Sequence, residues 1–248
     1  MTLIHPAPRG LEWLESEAPH KELARLHKSG TLRKLLPEVD ALYGIPQSPE
    51  HHPEIDTGIH IELTVEAATL LSADTRVRFA ALVHDLGKAL TPRDELPQHI
   101  DHETRGLEPV AIVCRRFDVP ADWRELALLV CEHHLSVHRA FEMAARSAVR
   151  LFDNTRLLER PHLVEPFLLA VEADKRGRAG RLHSRYPQAA YLREVFAALL
   201  QMPMPRNAEQ ASREWQVAHQ HRVARVEQVR KKHLLLKDAT SFQGQVKE

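Results

Sequence analysis

Histidine and aspartate recur on the apolar side of helical runs in this chain, and that coincidence restricts its folds more than any other feature. Leu107, Val110, Ala111, Cys114 and Phe117 share one stripe over about 102–117, and Leu126, Leu129, Val130, His133 and Val137 share another. A third stripe, Val164, Phe167, Leu168 and Val171, carries Asp174 on its inward side. Period-two alternation rich in β-branched residues is scarce, aromatics make up only 5%, and Ala/Leu/Arg/Glu-rich runs dominate. The expected fold class is all-α, a helical bundle with additional C-terminal helices.

Local signals punctuate those helices. Residues 1–20 are Pro-rich and read as irregular; 21–36 read as one or two short helices divided near Ser29-Gly30. Pro46, Pro49 and Pro53 make 44–57 an extended loop, because proline disfavours helix at the residue before it. Asp56 or Thr57 can cap a helix with His60 in its first turn, and Asp74 can cap a helix over 75–86. Gly87 can end that helix in the left-handed conformation, leaving His84 and Asp85 at its C-terminal end. A further helix begins near Pro161, a basic Gly-containing loop covers 175–187, and helices follow at about 188–201 and 207–236.

Lys+Arg and Asp+Glu balance at 34 each, so no overall positive field draws the chain to nucleic acid or anionic membrane. Nine Lys/Arg against five Asp/Glu in 206–248 read as an exposed helical face or an RNA contact. No apolar run approaches the roughly 18 residues of a membrane span. MTLIHPAPRG lacks the cationic start and apolar run of a secretion signal, and Cys114 and Cys131 sit within apolar helical patterns. A reducing cytoplasm is the expected compartment, with both thiols free and buried.

Nine of the 17 histidines lie between 51 and 138. His60, His84, Asp85 and Asp174 fall on or at the ends of separate amphipathic helices, so packing the stripes together would gather imidazoles and carboxylates in the interior. A carboxylate buried alone costs several kcal/mol, and a divalent cation compensates while holding imidazoles neutral. His/Asp sites suit Mn, Fe, Co, Ni or Zn better than Mg alone. Asp85 can bridge to a second ion held by His102, His133 and His134, about 3.5–4 Å from the first. Lys88 either complements the helix dipole or meets phosphate oxygens, the role also open to Arg176 and Arg178. His51, His52 and His99 lie in proline-bounded loops, either solvated or lining the pocket.

The set His60, His84-Asp85 and Asp174 resembles the signature of HD-domain metal-dependent phosphohydrolases. HHPEIDTGIH (51–60), RFAALVHDLGKALTP (78–92), HETRG (102–106) and EADKRGRAG (172–180) are similar to the C-terminal HD domain of bacterial CCA-adding enzymes, the multifunctional tRNA nucleotidyltransferases. LLPEVDALYGIPQ (35–47) resembles the connecting region before that domain, and the resemblance covers roughly residues 20–200. It implies an all-α fold, one or two divalent ions (Mn, Ni, Co, Fe or Mg), and hydrolysis of 2′,3′-cyclic and 2′-phosphorylated nucleotides, including RNA ends. It further implies Asp85, Lys88 and His102 as catalytic groups and tRNA as a partner. His102 with Gly106, and His133-His134, also resemble the extra histidines of two-metal HD hydrolases such as the HD-GYP phosphodiesterases; no GYP follows the pair, which disfavours cyclic di-GMP.

The nucleotidyltransferase domain of those enzymes has no counterpart, and no Asp-x-Asp pair occurs, so CCA addition by this chain alone is not expected. Competing readings are a nucleotidase on free mononucleotides and a noncatalytic RNA-binding or partner module of a separate nucleotidyltransferase. The expected organisation is a helical connecting segment at 1–50, an HD domain at 51–205 and a helical extension at 206–248. The long C-terminal helix also offers a surface for a homodimer.

Overall fold

A computed structural model describes residues 6–205 and 212–244, with side chains to residue 237. The described residues form helices and turns, with a single isolated bridge between Pro46 and Asp56 and no strand. In chain order the α-helices are α1 (Pro19–Lys28), α2 (Leu32–Leu35), α3 (Pro37–Asp40), α4 (Thr57–Leu71), α5 (Thr75–Val83) and α6 (His102–Arg105). There follow α7 (Leu107–Arg116), α8 (Ala121–His138), α9 (Ala145–Asn154), α10 (Val164–Arg176), α11 (Pro187–Leu200) and α12 (Arg213–Gly244). None of the described helices is long and apolar enough to cross a membrane.

The chain divides into two compact units, one of residues to 135 with 166–185, the other of 136–165 with the residues from 186.

In the first unit, Asp56 caps α4 by accepting from the Ile59 amide at 3.1 Å, and its other oxygen accepts from the Gly44 amide at 2.7 Å. Asp74 caps α5 through the Arg76 amide at 3.0 Å. Every residue of α5 is buried, so this short helix is the interior element against which α4 packs. The N-terminal stretch is less irregular than its prolines suggest. Glu12–Glu15 form a 3₁₀ turn that places Leu11 and Leu14 in the core, and Arg78 donates to the carbonyls of Leu14 (2.7 Å) and Ser16 (3.1 Å).

Gly87 is not in the left-handed region, contrary to expectation; α5 runs through His84 and Asp85 into a 3₁₀ turn at Leu86–Leu90. Space is what demands glycine there, since a Cβ would lie 1.9 Å from the carbonyl oxygen of His102 and 2.6 Å from the amide nitrogen of Gly106. The expected helix at 102–117 is interrupted at Gly106, giving α6 and α7. At the end of α10, a Cβ on Gly177 would fall 2.3 Å from Thr64 Oγ1, so this helix end lies directly on α4 one turn beyond His60.

In the second unit α12 packs against α9 and α11. Its Arg222 is buried and fork-bonded to Asp153 of α9 at 2.8 and 3.2 Å, and Lys232 and His233 both bond Glu194 of α11. Helix α9 is an element the sequence reading leaves unassigned between 138 and 161. Its signal is nonetheless present, because Ala145, Ala148, Val149 and Phe152 follow helical spacing and are all buried. The expected start of the last helix, at 207, lies outside the described residues.

Cys114 and Cys131 are free and buried as expected. Burial pushes the Cys114 thiol up to about 11 and the Cys131 thiol higher still. We expect neither thiol to react with iodoacetamide at pH 8 in the folded protein and both to react in urea, as counted by intact mass. Gly87→Ala should cost about 1–3 kcal/mol, the range for overpacking, seen as a lower urea midpoint by circular dichroism.

Candidate metal centre

Five elements each deliver a side chain to one buried point in the first unit. His60 comes from the first turn of α4, His84-Asp85 from the end of α5, His102 from the start of α6, His134 from α8 and Asp174 from the last turn of α10. All are at most 5% exposed. Nε2 of His60 lies 3.1 Å from Asp174 Oδ1, and Nε2 of His84 lies 3.2 Å from Asp85 Oδ2 and 3.8 Å from Asp174 Oδ2. On the other side of Asp85, Oδ1 is 3.2 Å from His102 Nε2 and 3.6 Å from His134 Nε2. Three overlapping ligand groups result: His60/His84/Asp174 and His84/Asp85/His134, which share His84, and His52/Glu54/His60, which shares His60 with the first.

The backbone fixes which ring nitrogen faces the centre. His84 Nδ1 donates to the Ala81 carbonyl at 2.8 Å and His102 Nδ1 to the His99 carbonyl at 2.8 Å. His134 Nδ1 bonds the carbonyls of Cys131 (3.0 Å) and Val130 (3.2 Å). These bonds assign the proton to Nδ1 and leave each Nε2 as a lone pair pointing at carboxylates or at another lone pair. The His102 and His134 Nε2 atoms are 3.2 Å apart, and the enclosed His84 Nε2 and Asp85 Oδ1 have no well-formed hydrogen bond. Acceptors crowded on acceptors repel unless a cation lies among them, and a His/Asp donor set of this kind fits a divalent ion.

The two buried carboxylates call for positive charge at this point. Burial disfavours a charge on His84, yet Asp85 and then Asp174 hold its pKa above the ordinary value. Burial also works against ionising Asp85, but His84 and Lys88 keep its carboxyl well below the usual range. Burial lowers His134 to about 3, so this imidazole stays neutral, the form that can coordinate.

Glu54, which the sequence reading passed over as part of a loop, completes the surroundings. Its Oε1 lies 2.9 Å from His60 Nδ1 and 3.0 Å from His52 Nδ1, and its Oε2 accepts from the Ala179 amide at 3.1 Å. A carboxylate behind an inward-facing imidazole fixes its ring and raises its basicity. The sequence signal was a carboxylate six residues before His60, flanked by Pro53 and two histidines.

Other predicted residues fall at varying distances. Lys88 is buried, with Nζ 2.7 Å from Asp85 Oδ2 and 2.5 Å from Gln47 Oε1. His133 stands half-buried beside Glu132, outside these groups, because adjacent helical residues point about 100° apart and His134 is the one turned inward. Arg176 is drawn back along α10 to Glu172 at 2.5 Å, whereas Arg178 makes no such pair and its charge is felt at His52. His99 ties loops together through Thr91 Oγ1 (2.8 Å) and the Pro46 carbonyl (2.9 Å), while His51 is exposed.

Residues 57–175 match the HD domain family, a span that takes in His60, His84, Asp85, His102, His134 and Asp174 but not Glu54. Among curated proteins, the "Multifunctional CCA protein" of Xanthomonas euvesicatoria pv. vesicatoria is 47% identical over 188 residues, 75% of this chain and 46% of that protein. The protein of the same name from Acinetobacter baumannii is 47% identical over 171 residues, 69% of this chain and 42% of its own length. The match thus spans a little under half the length of these relatives. The all-α fold and the inward-facing His/Asp cluster therefore coincide with an HD domain at residues 57–175, the domain of metal-dependent phosphohydrolases.

Proposed function

We propose that this chain hydrolyses 2′,3′-cyclic and 2′-phosphorylated nucleotides, RNA ends included, in the cytoplasm. The observation that carries the hydrolytic part is the convergence of the His84, His102 and His134 Nε2 atoms on Asp85. The substrate class rests on the resemblance of the four motifs and on relatives whose name refers to CCA, the end of tRNA.

In this reading His60, His84, Asp85 and Asp174 would hold one divalent ion, and His102 and His134, which lie beside Asp85, would be available to hold a second. When bound, the ion lowers the pKa of water and stabilises charge developing on the phosphoryl oxygens. Lys88 keeps Asp85 ionised and presents an ammonium at the carboxylate's edge, where it meets a phosphate oxygen. Arg178, rather than the engaged Arg176, supplies the second cation to the phosphate. Glu54 holds the His60 ring with Nε2 inward, and the surrounding apolar helices exclude bulk water.

A purified sample should carry a divalent metal and hydrolyse 2′,3′-cyclic AMP and 2′-AMP, with loss on EDTA treatment and recovery with Mn, Co, Ni or Mg. Activity confined to 3′-nucleotides or deoxynucleoside triphosphates would overturn the substrate class, and metal-free, inactive wild type would overturn the hydrolase itself. Asp85→Ala should abolish both metal uptake and turnover; full turnover in that variant would sink the ligand assignment. Glu54→Gln should weaken metal affinity about 10–100-fold, measured by chelator competition, with the fold intact by circular dichroism.

A further inference from the structure

The second unit contains a cleft that the metal cluster does not use. Two adjoining cavities of about 580 and 480 Å³ open between α9 and α12, each within the size range of ligand pockets. Arg146, Arg150 and His219 line both, so they mark the junction.

Arg146 and Arg150 lie one turn apart on the same face of α9, exposed, with no ion-pair or hydrogen-bond partner among the described residues. The carboxylates nearby are already committed. Asp153 is held by the buried Arg222 at 2.8 Å, and Glu227 lies 3.6 Å from Arg230. The junction therefore carries uncompensated positive charge in a chain whose total charge is zero. Trp215 and His219, one turn apart on α12, stack in parallel with centroids 4.8 Å apart and planes 11° from coplanar. His219 Nδ1 is enclosed and has no hydrogen-bond partner. On the Trp215 side, Asn154 adds an amide able to donate and accept; on the other side, Ala144, Ala145 and Val223 form an apolar wall.

A paired guanidinium flanked by two hollows, one with an aromatic platform, matches an anion with a flat ring system on each side. We propose that this cleft binds single-stranded RNA, with one phosphodiester at the Arg146–Arg150–His219 junction and a nucleoside in each cavity. Arginine suits the phosphate because its planar fork bonds two oxygens at once, and stacking on indole tolerates any base. The inference uses none of the metal-binding residues, so it stands or falls independently of the hydrolytic reading.

The test is fluorescence anisotropy of a labelled, 3′-blocked oligoribonucleotide titrated with the full-length protein at fixed salt. We expect binding that weakens as salt rises, a loss of at least tenfold in the Arg146→Ala/Arg150→Ala double variant and about tenfold in Trp215→Ala. Arg150→Lys, which keeps the charge, should retain more affinity than Arg150→Ala. The far-UV circular dichroism and urea midpoint should be those of wild type in all of them, which reports that the variants are folded. The proposal is overturned if wild type does not bind, or if folded variants bind as wild type does. It is overturned too if AMP or inorganic phosphate displaces the oligonucleotide as effectively as unlabelled RNA, because the cleft then recognises a lone nucleotide or anion.

Discussion

Asp85 is the group around which the first unit is organised. A carboxylate that is 1% exposed has lost nearly all its water, and it meets His84, His102, His134 and Lys88 within 4 Å. Its interior position is tolerable only because positive charge can be gathered at it. Two features of the surrounding fold follow. Lys88 is itself buried, one turn along the chain, and accepts desolvation in exchange for the carboxylate. The imidazoles are turned so that their lone pairs rather than their N–H groups face the centre, an arrangement that disfavours an empty interior and favours one holding a cation.

Orientation of those imidazoles is mostly a local matter. His84, His102 and His134 each direct Nδ1 to a carbonyl three residues back, so each ring is set by its own turn of helix and needs no distant partner. His60 is the exception. Its Nδ1 faces Glu54, which is also tied to Ala179 beyond the end of α10, so the His60–Asp174 side of the cluster depends on two loops meeting. Gly87 and Gly177 make the corresponding close approaches possible, one bringing the 3₁₀ turn after Asp85 onto α6 and the other bringing the end of α10 onto α4. The cluster is thus locally oriented on one side and tertiary on the other.

That difference explains what could be read from the amino-acid sequence. The caps Asp56 and Asp74, the helix starts they define, and the histidines and aspartates on apolar stripes are local signals, and the helices form where those signals stand. Glu54 was invisible because its role is created by a contact with a residue on a different element and an amide 125 residues away. The sequence reading offers both His133 and His134 to the metal for another reason: α8 is buried over a broad arc including Ala127, Val130, Cys131 and Val137, and the stripe alone cannot fix the helix phase to one residue. Helix α9 is hard to read because Ala144 supplies no side-chain cap and three charged residues, Arg146, Arg150 and Asp153, interrupt its apolar positions, although the spacing itself is regular.

The partition into units bears on how labour is divided along the chain. The HD match at 57–175 includes α9, yet α9 folds with α11 and α12, while every residue of the His/Asp cluster belongs to the other unit. Family membership and compactness therefore draw different lines through the same helices. Since the second unit contributes no ligand to the cluster, the ion pair between its buried Arg222 and the half-buried Asp153 is not accounted for by the hydrolytic chemistry. What that pair does locally is neutralise Asp153 and anchor α12 to α9, leaving the guanidinium groups of Arg146 and Arg150 as the dominant charges on the face between them. A chain that is neutral overall can in this way carry a buried His/Asp cluster able to hold a metal in one unit and a face of unpaired guanidinium groups in the other, whose attraction for anions is limited to the screening length.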